Sequence, residues 1–269
     1  MKKTILALLL VSAVLIMLAP YAAAAGLGGA DTEDARTLTD YFPFNIIGGD
    51  MTLEDSTTTM EIIILLTILS LAPSILIMVT AFTRIVIVLS FTRSAMGTQQ
   101  MPPNQVLIGL ALFLTFFIMF PVFDDIKTNA WDPYAAGDIQ LEEMLERTVN
   151  PVREFMFEQI KLQKHDDDLI NFINLAGLPP PEEFNDIPTH VLIPAFVTSE
   201  IKTGFIFGFI VYIPFIVIDM VVASALMSMG MMMLPPVMIS LPFKVMLFVL
   251  VDGWNLTIGT LLRTFANTS

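Results

Sequence analysis

Five charged side chains stand in apolar surroundings, and theirs is the chemistry that most needs a reason: Arg84, Lys202, Asp219, Lys244 and Asp252. A charge at the centre of a bilayer costs at least about 2.5 kcal/mol on insertion scales, so each of these must pair, reach an interface or face protein. Two buried carboxylates sharing a proton make an acid/base dyad, and Asp219 with Asp252 is the pair that fits this description. Each of them also has a base near it in sequence, Lys202 or Lys244, and the local motifs of intramembrane aspartyl proteases are missing. No GxSxG, HExxH, GxxxxGK(S/T) or complete GxGxxG occurs either, so the usual hydrolase, protease and nucleotide signatures fail. With no cysteine and two histidines, a zinc or haem site is hard to build. The expectation is therefore a protein without catalysis, metal or cofactor, whose isolated charges serve pairing, pathways or helix ends.

A second constellation is made of thioethers. Eight of the eighteen methionines fall between Met220 and Met246. Met231, Met232 and Met233 stand between Gly230 and Pro235-Pro236, so the triplet is expected on a bend, with Gly230, Pro235 and Pro236 as its hinge. Methionine is unbranched and polarizable and repacks around irregular shapes. Several copies of such a loop around an axis would close a pore to ions yet yield to a passing polypeptide; one copy would not. The competing reading is an apolar turn that fills a core or faces lipid. Gly204 and Gly208 form a small-xxx-small pair that permits close helix approach, and they are the expected subunit-packing residues.

The elements that carry these residues follow from composition. Of 269 residues 55% are hydrophobic and only 14% charged, with a mean hydropathy of +0.75. A soluble domain carries roughly 25% charge, so this pattern reads as an integral membrane protein. The net charge of −13 excludes a nucleic-acid partner. Lys2 and Lys3, the apolar run Ile5 to Leu18, Pro20 and the alanines before Gly26 have the form of a secretory signal peptide over 1–25. Residues 26–61 form an acidic exported segment. Residues 62–123 form a first helical hairpin, residues 124–190 an acidic outer helical region, and residues 191–269 a second hairpin with the Met-rich loop.

Four apolar segments are long enough to matter: Ile62 to Phe82, Val106 to Phe123, Thr203 to Ile218 and Leu241 to Leu262. Pro73, Pro121, Pro214 and Pro242 interrupt them, which predicts broken helices packed on protein. Arg84 and Arg93 lie in the link between the first two, and fifteen acids against five bases lie between Asp124 and Asp186. Basic links favour the cytoplasmic side, so the acidic region falls outside, and Arg263 is the one base that does not fit. Within that outer region Asp138 is placed to cap a helix from Ile139, restarted at Asn150-Pro151, and Asp167 to Ala176 reads as a helix ended by Gly177 and the prolines after it. Asp166, Asp167 and Asp168 lack the spacing of a calcium loop and suit a solvated helix start.

The ordered run from Ile62 to Leu262 resembles a known family. Phe82-Thr83-Arg84, Gln99 to Gln105, Pro194-Ala195-Phe196, Ser199-Glu200, Gly204 to Gly208, Pro214-Phe215, Ile218-Asp219, the Met-Gly-Met-Met-Met bend, Pro235-Pro236, Pro242-Phe243-Lys244 and Asp252-Gly253-Trp254 are similar to the FliP family of type III export gates. The resemblance implies an all-α, ring-forming subunit, a pentamer joined by FliQ and FliR, with FlhA, FlhB and an ATPase complex as neighbours. It implies passage of unfolded flagellar polypeptides through the inner membrane at the flagellar basal body, with a constriction at Met231, Met232 and Met233. In that family the hairpins pack largely on one another and much of the assembly rises out of the bilayer plane, so the order of segments is implied and their depth is not. The runner-up is a proton-coupled small-solute transporter with Asp219, Lys202 and Arg84 as an ion relay. The internal repeat that such a transporter usually shows is not convincing here.

Overall fold

Apolar residues at helical spacing, few turn formers and long uncharged runs leave helix as the available secondary structure, and the computed structural model is helical throughout its described residues: 66–67, 70–71, 73–98, 101–179, 181, 184–231 and 235–265. The signal peptide and the acidic segment before residue 62 lie outside them, as do Met232, Met233 and Leu234. The chain divides at Ile75, and the fold described here is that of Leu76–Ser269.

Helix α1, Phe82–Met96, is followed by α2, Asn104–Ile126. A π-helical turn, Lys127–Trp131, carries α2 without a stop into α3, Asp132–Ala136, where Gly137 ends it in the left-handed conformation. Helix α4, Leu141–Leu162, and helix α5, Asp166–Leu175, form the outer region. The long helix α6, Thr189–Ser228, runs through the centre; α7, Pro236–Leu250, and α8, Gly253–Arg263, close the chain.

The core is where α1, α2, α4, α5 and α6 meet. Ile85, Val88 and Leu89 of α1, Met156 and Ile160 of α4, and Leu192, Ala195 and Phe196 of α6 are essentially without exposure. Each of these side chains except Ala195 contributes roughly 1.5–3 kcal/mol by leaving water. Phe155 and Phe196 join α4 to α6 in an edge-on contact at 6.0 Å. A smaller cluster of Ala95, Met96, Phe215 and Phe248 ties α1 to α6 and α7.

Three expectations change. The stretch bearing Arg84 and Arg93, read as a link, is the helix α1, because its apolar residues have the core of α6 to pack on. The prolines do not end helices: Pro121, Pro151, Pro214 and Pro242 lie inside α2, α4, α6 and α7. A proline removes one hydrogen bond and crowds one turn, and packing of the rest outweighs this local cost of about 3 kcal/mol. The sharp breaks fall elsewhere, an 81° turn between Pro73–Val79 and α1 and a 62° turn between α7 and α8. At the second, Asp252 takes the left-handed conformation, φ 51°. Helix α4 begins at Leu141 after Gln140, not at Ile139 after Asp138, and its outer residues Leu141, Leu145 and Val149 are exposed while Phe155, Met156 and Ile160 are buried.

By length and composition, Asn104–Ala136 and Thr189–Ser228 are each sufficient to cross a membrane, and the two bent pairs bring the number to four if each is one span.

Candidate functional site: a buried ion pair and a methionine bend

Arg84 is fully buried on α1, as is Glu200 on α6. The guanidinium Nε donates to Glu200 Oε2 at 3.0 Å, and Nη2 pairs with Glu200 Oε1. The other guanidinium nitrogens reach two further elements: Nη2 donates to Gln159 Oε1 on α4 at 3.1 Å, and Nη1 donates to Thr264 Oγ1 after α8 at 3.0 Å. The Phe265 ring covers the guanidinium at 3.9 Å. The planar fork of arginine, with five donors, is the side chain that can serve four segments at once. Gln159 is fully buried and its Nε2 has no partner, so the cluster is short of an acceptor beside the arginine.

Next to Glu200 on α6, Ser199 Oγ lies 2.7 Å from Nδ1 of His165, in the α4–α5 corner. Lys164 closes that corner in the left-handed conformation, φ 55°, which sends the next residue back toward α6. His165 is held below its ordinary value of 6.5, first by burial and then by the Lys202 charge; Asp168 pulls the other way and Arg84 adds a smaller lowering. Lys202 itself pairs with Asp168 of α5 at 3.3 Å and is half exposed.

A third cluster stands at the base of the α6–α7 hairpin. Lys244 Nζ, nearly fully buried, donates to Asp219 Oδ2 at 2.6 Å, and Ser240 Oγ donates to Asp219 Oδ1 at 2.5 Å. Above it α6 ends in a left-handed Gly230, φ 75°, with Gly230 N–H bonded to Met227 O and Met231 N–H to Leu226 O, the paired closure of a Schellman turn. Pro235 is extended and Pro236 is the first residue of α7. Gly230 thus ends α6 and Pro235-Pro236 opens α7, and Met231 is 38% exposed, with Met227 and Met229 more so.

The sequence leaves open which of these charges pair, and the fold selects the partners. Lys202 and Asp219 are both on α6, where seventeen residues span about 25 Å, so they cannot meet. Lys202 takes Asp168 and Asp219 takes Lys244. Asp252 sits at the α7–α8 break and accepts from Asn255 Nδ2 at 3.1 Å. The three residues proposed as a relay, Asp219, Lys202 and Arg84, thus have three different partners. Glu200 is the functional-type residue that sequence reasoning passed over. Its signal was its position: it is one of three acids outside the two acidic segments.

Gly204 and Gly208 are occupied within the chain. A Cβ on Gly204 would lie 3.1 Å from Ile87, and one on Gly208 2.6 Å from the Phe91 ring, so the pair seats α1 on α6. Among the described residues no group of three or more His, Asp or Glu is placed to hold a metal ion.

The comparison with known proteins bears on this arrangement directly, since the FliP family model matches residues 65–261, from ahead of α1 to α8. The chain belongs to the FliP family. It is 56% identical over 212 residues to the flagellar biosynthetic protein FliP of Bacillus subtilis, covering 79% of this chain and 94% of that one. FliP of Treponema denticola is 44% identical over 246 residues, 91% of this chain and 90% of its own. FliP of Aquifex aeolicus is 48% identical over 225 residues, 83% and 91% respectively. The FliP match takes in the Arg84–Glu200 pair and the stretch from Gly230 to Pro236.

Proposed function

We propose that this chain is a core channel subunit of the flagellar type III protein export gate. Copies of it associate into a ring, a pentamer completed by FliQ and FliR and adjoined by FlhA and FlhB, through which unfolded flagellar polypeptides cross the bacterial inner membrane. The α4–α5 region lies on the periplasmic side. Met231, Met232 and Met233 form the seal, and Gly230, Pro235 and Pro236 set its bend. The energy comes from the partners, and the chain does no covalent chemistry.

One observation carries the assignment: the FliP family match over 65–261. The seal is supported by the exposure of Met231 on a turn pinned by Gly230, with a thioether side chain soft enough to close around chains of different shape. Assembly is supported by aromatic surface left uncovered on α2, where Phe113, Phe116, Phe117 and Phe120 are each more than half exposed.

The test is conductance. Purified assemblies with Met231, Met232 and Met233 all replaced by Ala are reconstituted in planar bilayers, and the expected result is an ion leak while export of a flagellar substrate in cells persists. Unchanged conductance with an intact assembly removes the seal. A monomeric mass for the detergent-extracted protein, alone and with its coexpressed neighbours, removes the ring.

A further inference from the structure

We propose that the open-sided cavity lined by α1, α6, α7 and α8 is a lipid site, holding one acyl chain of a phospholipid whose amine-bearing headgroup rests at Asp252. This goes beyond the export-gate reading and does not depend on it.

The cavity is about 450 Å³, within the range of small-molecule pockets. Its walls are hydrocarbon: Val88 from α1, Val211 and Phe215 from α6, Phe248 from α7 and Leu261 from α8. Among the described residues no charged side chain lines it, and Thr257 and Thr260 are the polar ones. A stable internal water needs two to four polar partners, so water is a poor occupant. A flexible hydrocarbon chain filling this space makes dispersion contacts with every wall.

The break between α7 and α8 gives the cavity its wall. A Cβ at Gly253 would lie 2.3 Å from the Phe248 ring, so only glycine lets the ring lie flat against the start of α8. Trp254 then meets Phe248 edge-on at 5.3 Å and fixes it.

The way in is apolar too. Ile210, Val251 and Leu256 line the cavity and are each more than half exposed, so it opens onto the same hydrocarbon surface that α6 presents as a candidate span. At the rim, between the lining residues Val251 and Gly253, stands the exposed carboxylate of Asp252, with only the Asn255 amide donating to it. An apolar slot ending at a carboxylate complements an acyl chain ending at an ammonium. It disfavours a headgroup with net negative charge.

The protein has two tryptophans, so Trp131→Phe leaves Trp254 as the single reporter beside the wall. The full-length chain is placed in vesicles of phosphatidylethanolamine and phosphatidylglycerol, with either lipid brominated at mid-chain. Trp254 is expected to be quenched saturably at low mole fraction of brominated phosphatidylethanolamine. Brominated phosphatidylglycerol should be weaker by roughly two- to fivefold, the range of an exposed ion pair. Asp252→Asn should abolish that preference and keep the saturation. Val211→Phe and, from the opposite wall, Thr260→Phe should each abolish saturation while helical circular dichroism is unchanged. Quenching that rises linearly with mole fraction and is the same in both filled variants overturns the site. So does quenching that disappears when copies associate, since a neighbouring chain then fills the space. Saturation without headgroup preference overturns the role of Asp252.

Discussion

The Arg84–Glu200 pair makes the sharpest energetic demand on this fold. Both side chains are fully buried, 116 residues apart in sequence, and Arg84 links α1 to α4, α6 and the segment after α8. Replacing Glu200 by Ala leaves a guanidinium without its counterion in the core. Removing one partner of such a pair typically costs about 3–5 kcal/mol, a third or more of the stability of many domains. The double variant Arg84→Met/Glu200→Leu removes both charges and keeps the volume. Its residual cost is set by what Arg84 had served. Thr264 retains its bond to Leu261 O at 2.7 Å, whereas Gln159 Oε1 loses its partner and joins its own unpartnered Nε2. An orphaned buried polar group costs roughly 1–3 kcal/mol, so the double variant is expected to be more stable than Glu200→Ala alone. The assay is denaturant unfolding of the detergent-solubilised protein in a Trp131→Phe background, followed by Trp254 fluorescence, with Arg84→Met, Glu200→Leu and the double variant as one cycle and Glu200→Ala beside them. A cost below about 1 kcal/mol for Glu200→Ala, or a double variant whose loss equals the sum of the singles, refutes the claim that this pair is coupled and dry.

Two further outcomes follow from contacts in the same core. His165 is neutral in the fold because burial and Lys202 depress its basicity, whereas in the unfolded chain it titrates near its ordinary 6.5. Its contribution is therefore intact above that value and is lost as pH falls below it toward the lowered folded value. A His165→Gln variant, which retains a partner for Ser199, is expected to show a flatter stability curve between about pH 5 and 7; thermal unfolding profiles of the two that superimpose across that range contradict it. At the α1–α6 contact, Gly208→Ala forces a methyl into the Phe91 ring and is expected to cost roughly 1–3 kcal/mol, more than Gly204→Ala, with Phe91→Leu recovering part of the loss. Melting temperatures of Gly204→Ala, Gly208→Ala and Gly208→Ala/Phe91→Leu decide the order.

Much of the molecule was legible in one dimension because its causes are local. Long uncharged runs made helices, and Gly177 and Gly230 ended theirs in the left-handed conformation that glycine adopts without penalty. Pro235-Pro236 fixed where α7 starts. The absence of catalytic and nucleotide motifs is likewise a property of the chain alone.

Charge pairing was not legible, since it depends on which helix faces meet. Lys202 looked available to Asp219, yet a single 40-residue helix holds them apart, and the packing of α5 and α7 supplies Asp168 and Lys244 instead. Prolines that read as breaks were absorbed into helices by the packing around them, while the true break at Asp252 carried no proline to announce it. Sequence thus determined the helices, the bend and the kind of side chain at each site. Tertiary structure alone decided the partners of Arg84 and the glycine seat of α1, because burial of a charge and closeness of two backbones are set by contacts between segments distant in the chain.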